Sequence, residues 1–229
     1  KALRDSRAGS AAVTLAQTDV PGRSLAWRVQ QASFACADAA YRFAAPKRTN
    51  GDGAERGARE IALLVEDGTD AQIEAAIRRG QAIADGMALA KDLGNLPPNV
   101  CNPQYLADTA RALSDELPIE VDVLERSEMA KLGMNAALSV GLASANPCKF
   151  IVMHYRGGAR NDKPIVLVGK GVTFDTGGVS LKPGEDMDMM KYDMCGAASV
   201  FGAVKTAAHL RLPLNVVGIV NAVENMPGG

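Results

Sequence analysis

The apolar positions change period several times along the chain, and each change marks an element. From Ser24 to Phe43, residues Leu25, Val29, Ala32, Ala35 and Ala39 recur at helical spacing, and Ser24 is placed to cap the first turn. Pro46 to Gly57 is polar, contains glycine and reads as an exposed loop. Glu60 to Val65 is a short apolar run of strand type. A longer helix is predicted from Asp70 to Leu93, with Ile73, Ile77, Ala84, Met87 and Ala88 in period and Thr69 or Asp70 as its cap. Gly94-Asn95-Leu96-Pro97-Pro98-Asn99 ends it and is the clearest break in the chain.

Beyond that break the pattern alternates. Helices are predicted over Pro103–Leu113, Ser127–Leu132 and Asp193–Leu210, and strands over Ile119–Leu124, Lys149–Tyr155, Pro164–Gly169 and Leu214–Val223. A loop is expected over residues 170–191. Strands alternating with helices predict an α/β fold with a largely parallel sheet, closing on a βαβ unit. The organisation that follows is the C-terminal part of a small N-terminal α/β domain over residues 1–69, an interdomain helix over 70–96 and a second domain over 97–229.

Composition narrows the functional classes. The chain has 229 residues, 47% of them hydrophobic, enough for a real core. Its 25 basic and 26 acidic residues leave a net charge of -1, which gives no strong attraction to nucleic acid or membrane. Aromatic residues are only 4%, thin for a base-stacking surface. The four cysteines, Cys36, Cys101, Cys148 and Cys195, form no C-x-x-C pair and suit a reducing, cytoplasmic setting. No apolar run reaches the roughly 18 residues a membrane span needs.

The chemistry concentrates after the apolar run Ile165-Val166-Leu167-Val168. There Lys170-Gly171-Val172-Thr173-Phe174-Asp175-Thr176-Gly177-Gly178 leads through Lys182 into an acidic, methionine-rich stretch ending at Asp193. Ligands in open α/β sheets bind beyond the carboxyl ends of strands, so Lys170, Asp175 and Asp193 can converge at one sheet edge. Aspartates suit divalent cations, and a carboxylate shared by two of them builds a two-metal site. Lys170 could act as a neutral amine ligand. Lys182 could hold a carbonyl oxygen as charge develops on it. Phe174, Met187, Met189 and Met190 would supply an apolar wall. Taken singly, each feature has a plainer reading: a solvated lysine, a helix cap at Asp193, a glycine turn, core methionines. Chemistry alone leaves both readings open.

Other motifs fail on spacing. Gly169-Lys170 lacks the first glycine and the following Ser or Thr of a phosphate-binding loop. Asp175-Thr176-Gly177 is the aspartic-protease triplet without a second copy; only a half-molecule that dimerises would rescue that reading. The two histidines, His154 and His209, form no H-E-x-x-H and read as structural, and Cys195 has no histidine beside it in sequence.

Longer strings then become informative. Val168 to Gly178, Ser180-Leu181-Lys182-Pro183, Met190 to Ala198, Asn221 to Pro227 and the Asn95-Leu96-Pro97-Pro98-Asn99 break together resemble the leucyl (cytosol) aminopeptidase family of dinuclear metallo-exopeptidases, over essentially the whole chain. The resemblance implies a mixed-sheet α/β/α catalytic domain over 97–229, of which the chain holds the first part. It implies Lys170, Asp175 and Asp193 as metal ligands, Asp175 touching both ions, and two divalent ions: Mn²⁺ or Zn²⁺, with Mg²⁺ or Co²⁺ also fitting. Lys182 would be the catalytic, carbonyl-polarising lysine, and Met190 would line the pocket for the first side chain. The implied activity is release of N-terminal residues, Leu and other apolar ones preferred, from peptide substrates by a two-metal-activated water. A cytoplasmic homohexamer is implied, and some bacterial members also bind DNA. For this chain that alternative is weakly supported, since Lys47-Arg48 and Arg78-Arg79 are short basic spots. The family's Asn-Thr-Asp-Ala-Glu-Gly-Arg segment, with further ligands and a second catalytic residue, does not occur here. With no initiator Met at its start and a turn signal, Met226-Pro227-Gly228-Gly229, at its close, the chain is expected to be cut at both ends and inactive, or nearly so, by itself.

Overall fold

The computed structural model describes residues 8–43, 58 and 60–228. The loop expected over 46–57 and the pair Lys47-Arg48 lie outside the described residues. Two compact units, residues 1–88 and 89–229, divide within one long helix.

The first unit holds β1 (Ser10–Val13), a 3-10 turn (Leu15–Gln17), α1 (Leu25–Ala40), β2 (Glu60–Leu63) and the start of α2 (Asp70–Asn95). The Ser24 hydroxyl accepts the Trp27 N–H at 3.2 Å, as the capping pattern requires. Val29 and Ala32 of α1 pack with Ala16 and Ala76, and Ser33 Oγ donates to the Ile77 carbonyl at 3.0 Å, tying α1 to α2. β1 and β2 pair in parallel from Ser10↔Glu60 to Val13↔Leu63. The sequence reading has no β1, because Ser-Ala-Ala-Val is too short to show a period.

The second unit continues with α3 (Pro103–Glu116), β3 (Ile119–Glu125), α4 (Arg126–Lys131), α5 (Asn135–Val140), β4 (Lys149–Arg156), β5 (Ile165–Asp175), a 3-10 turn (Met187–Tyr192), α6 (Cys195–His209) and β6 (Asn215–Asn225). Its four-stranded sheet has the order β3-β4-β6-β5. Here the expectation of a largely parallel sheet fails. Only β5 and β6 pair in parallel, while β3–β4 and β4–β6 are antiparallel. The reason is local: a parallel return needs a crossover spanning the strand's length. The short α4 and α5 leave the chain where β3 ended, so Glu125 pairs with Lys149, the first residue of β4. The predicted βαβ unit, β5-α6-β6, is present.

Helices cover both faces. On one, Leu106 and Ala110 of α3 and Phe201 and Val204 of α6 pack against Ile151, Met153 and Val220. On the other, Met129 of α4 packs with Leu124, Leu138, Phe150, Val172 and Val223. Neighbouring residues Ala222 and Val223 belong to opposite cores, as strand alternation dictates. The layers are thus α/β/α around a mixed sheet.

Two further boundaries differ from expectation and bear on function, and one short helix was not expected. Strand β5 runs to Asp175 rather than Gly169, because β6 offers backbone partners as far as Asn225. Lys170 therefore lies inside the strand, and the loop shrinks to residues 176–186. Helix α6 starts at Cys195, so Asp193 closes the preceding 3-10 turn instead of capping a helix. Helix α5 is six residues, too short for a visible period.

Gly169 of β5 meets α6 at very close range. A Cβ there would stand 2.6 Å from the Gly196 carbonyl oxygen and 2.7 Å from Ala197 Cα. Gly169→Ala is expected to push α6 off the sheet and cost roughly 1–3 kcal/mol, as overpacked cores do. Chemical denaturation against the parent checks this, and an unchanged midpoint would contradict it.

Candidate metal centre

A register shift in β5 prepares the centre. Pairing with β6 runs Lys170↔Asn221 and Val172↔Val223, then resumes at Phe174↔Glu224 and Asp175↔Asn225. Thr173 is the extra residue; it is buried, and its hydroxyl donates to the Val223 carbonyl at 3.2 Å. In a regular strand Lys170 and Asp175, five positions apart, would face opposite sides. The bulge restores them to one side, beside Asn221 and Asn225 of β6.

Past Asp175 the chain turns on Gly177 and Gly178, with φ of 92° and 69°, backbone that glycine adopts readily. The Lys182 N–H donates to the Thr176 carbonyl at 2.8 Å, closing a loop that returns Lys182 to the strand end. Lys182 Nζ then lies 2.7 Å from Asp175 Oδ2 and 3.0 Å from Met190 Sδ. Met190 belongs to the 3-10 turn, and its carbonyl accepts the Asp193 N–H at 3.2 Å. Asp193 Oδ1 is 2.9 Å from Lys170 Nζ. Direct contacts thus join the five residues that the resemblance singled out, Asp175, Lys182, Met190, Asp193 and Lys170. Met189 of the same turn is 48% exposed.

The electrostatics suit positive charge. Burial would raise the Asp175 carboxyl, but bonds from Lys182 Nζ, the Gly177 N–H at 3.0 Å and Asn225 Nδ2 at 2.7 Å bring it down to about 2. Asp193 keeps one buried oxygen, Oδ2, without a hydrogen-bond partner, as does Asn221 at Oδ1. Such a carboxylate oxygen is costly unless a cation meets it. Among the described residues no three His, Cys, Asp or Glu side chains converge to hold a metal ion. The donor set is two carboxylates and an amine. It fits part of a divalent-cation site, and the orphaned Asp193 oxygen is the observation that makes it fit.

Sequence reasoning gave no role to Asn225, which bonds Asp175, or to Thr176, which bonds Asn225. The only signal in the sequence was their place inside the strings that carried the resemblance. Cys195 is an exposed free thiol, and Cys36, Cys101 and Cys148 are buried free thiols.

Fold and centre define an α/β/α domain with lysine and carboxylate pairs at the end of a parallel strand pair. The profile described as "Cytosol aminopeptidase family, catalytic domain" matches residues 88–229. The chain belongs to the cytosol aminopeptidase family. It is 63% identical to a probable cytosol aminopeptidase of Azoarcus sp. (strain BH72), over all of this chain and 46% of that relative. It is 58% identical to one from Aromatoleum aromaticum, with the same shares. The chain spans about half the length of the curated relatives it matches. Among solved structures, bottromycin maturation enzyme BotP in complex with Mn superposes with a TM-score of 0.81 at 32% identity, over 97% of this chain and 45% of that one. Cytosol aminopeptidase from Coxiella burnetii gives 0.73 at 26% identity, over 86% and 40%.

A carboxyl held below its ordinary 3.8 favours the folded state at pH values above about 4, and that contribution is lost as pH falls through about 2. In the metal-free protein the Asp175 carboxyl carbon is expected to titrate near 2 by NMR, and to move upward in Lys182→Ala. A midpoint that stays put in the variant would contradict the assigned pairing.

Proposed function

We propose that this chain carries the first part of the active centre of a metal-dependent aminopeptidase that removes N-terminal residues, Leu and other apolar ones preferred, from peptides. The carrying observation is the unbroken contact path from Lys170 through Asp193, Met190 and Lys182 to Asp175. Asp175, Asp193 and Lys170 would hold two divalent ions, Mn²⁺ or Zn²⁺ with Mg²⁺ or Co²⁺ as alternatives; the likeness to BotP in complex with Mn supports the first. Such ions, when bound, would polarise the scissile carbonyl and supply an activated water.

The chain's own residues divide the remaining work. To become a ligand, Lys170 Nζ would leave its 2.9 Å ion pair with Asp193 and release a proton to solvent, which leaves the Asp193 carboxylate ionised to ligate as well. Lys182 Nζ is held at the strand end by Asp175 and projects beside Met190, so it can donate to a carbonyl oxygen placed there and stabilise the charge that develops. The Met190 thioether offers a pliable apolar wall to the substrate's first side chain. The domain division proposed with this reading is an N-terminal α/β part over 1–69, a linking helix over 70–96 and the catalytic part from 97.

A cytoplasmic homohexamer is part of the proposal. It rests on the family resemblance and on the relatives' name, cytosol aminopeptidase. No helix among the described residues is long and apolar enough to cross a membrane. Binding to duplex DNA is not proposed, since the chain carries a net charge of -1 and Arg78-Arg79 is a short basic spot rather than a stripe.

The test is turnover of Leu-p-nitroanilide with added Mn²⁺ by a protein carrying this sequence at its relatives' full length. Lys182→Ala is expected to lower kcat by roughly 10²–10³, the usual loss when one donor to a developing oxyanion is removed. Equal turnover in parent and variant, or turnover indifferent to metal chelation, would overturn the assignment.

A further inference from the structure

Asn225 is the residue at this centre for which the sequence reading has no role. Its amide Nδ2 donates to Asp175 Oδ1 at 2.7 Å. The same oxygen accepts the Gly177 N–H at 3.0 Å. Both donors fall on Oδ1, and Oδ2 is the atom turned to Lys182 Nζ, at 2.7 Å. Asn225 is itself fixed from two sides. Its carbonyl accepts the Thr176 N–H at 3.0 Å and the Thr176 hydroxyl at 2.7 Å. Beside its amide, a Cβ on Gly178 would stand 2.6 Å from Asn225 Oδ1, so only glycine leaves the amide where it is.

We infer that Asn225 is a positioning residue: it clamps Asp175 Oδ1 so that Oδ2 is presented to a divalent cation, setting the centre's metal affinity without touching metal or substrate. The inference rests on the metal-binding reading proposed above. Its physics is that of outer partners that orient a ligating carboxylate. Without the clamp the carboxyl rotates about its last torsion, and binding must then also order it. The backbone bonds to Thr176 do not depend on the side chain at 225, so replacing that side chain removes the clamp and leaves the strand end tied.

The experiment uses a protein carrying this sequence at its relatives' full length. It compares the parent with Asn225→Ala, which deletes the donor, and Asn225→Asp, which keeps the size and puts an acceptor against Asp175. Mn²⁺ dissociation constants are read by electron paramagnetic resonance of free Mn²⁺, alongside the melting temperature of the metal-free protein and kcat and KM on Leu-p-nitroanilide. Both variants are expected to bind Mn²⁺ about 10–100-fold more weakly, the range typical of lost outer partners. The metal-free melting temperature should be nearly unchanged, and excess Mn²⁺ should restore part of kcat. Mn²⁺ affinity within about twofold of the parent, well short of that range, would overturn the inference. Loss of the folded state in both variants would also overturn it, by making Asn225 structural. A parent that binds no Mn²⁺ would instead sink the metal-centre reading on which the inference stands.

Discussion

The approach of α6 to β5 is the constraint on which the centre depends. Gly169 and Gly196 meet where neither tolerates a side chain, and a Cβ on Gly196 would fall 2.9 Å from the Lys170 backbone nitrogen. Helix and strand are therefore locked one residue from Lys170. The chain between them has to return across the end of β5 to enter α6. Its last turn, Met187–Tyr192, and Asp193 are delivered onto the lysine by that return. Close packing, more than any single polar bond, is what makes strand, loop and turn share one edge.

The pair of Lys170 with Asp193 is too open to be explained by stability. The Lys170 and Asp193 side chains are 60% and 22% exposed, and those of Lys182 and Asp175 are 36% and 16% exposed. An ion pair whose lysine is as open to water as Lys170 contributes about 0–1 kcal/mol. Against that small gain stands the buried, unpartnered Asp193 Oδ2, a cost with no structural return. A centre that accepts positive charge accounts for both facts at once. The bulge at Thr173 is what sets Lys170 and Asp175 on one side of the strand, where both can face such a charge.

The sequence carried the candidates further than it carried the fold. Lys170, Asp175, Lys182, Met190 and Asp193 are legible because their residue types cluster within one short stretch, and the structure joins them by contact. Helix ends marked by Ser24 and by the Pro97-Pro98 break are legible too, because capping and proline chemistry are local. Strand direction is not local: nothing in Arg126–Val140 announces that two short helices return the chain antiparallel. The bulge is equally silent, since alternation read along one strand cannot show which residue its partner skips. Asn225 was invisible for the same reason; its meeting with Asp175, fifty positions earlier, exists only in the β5–β6 register.

The most direct test of the central claim is anomalous diffraction from crystals of a protein carrying this sequence at its relatives' full length, soaked in Mn²⁺. The account predicts manganese peaks at ligating distance, roughly 2–2.3 Å, from the carboxylates of Asp175 and Asp193, with Lys170 Nζ turned from its ion pair toward metal. Manganese elsewhere, or none, with the Lys170–Asp193 and Lys182–Asp175 pairs intact, would contradict it.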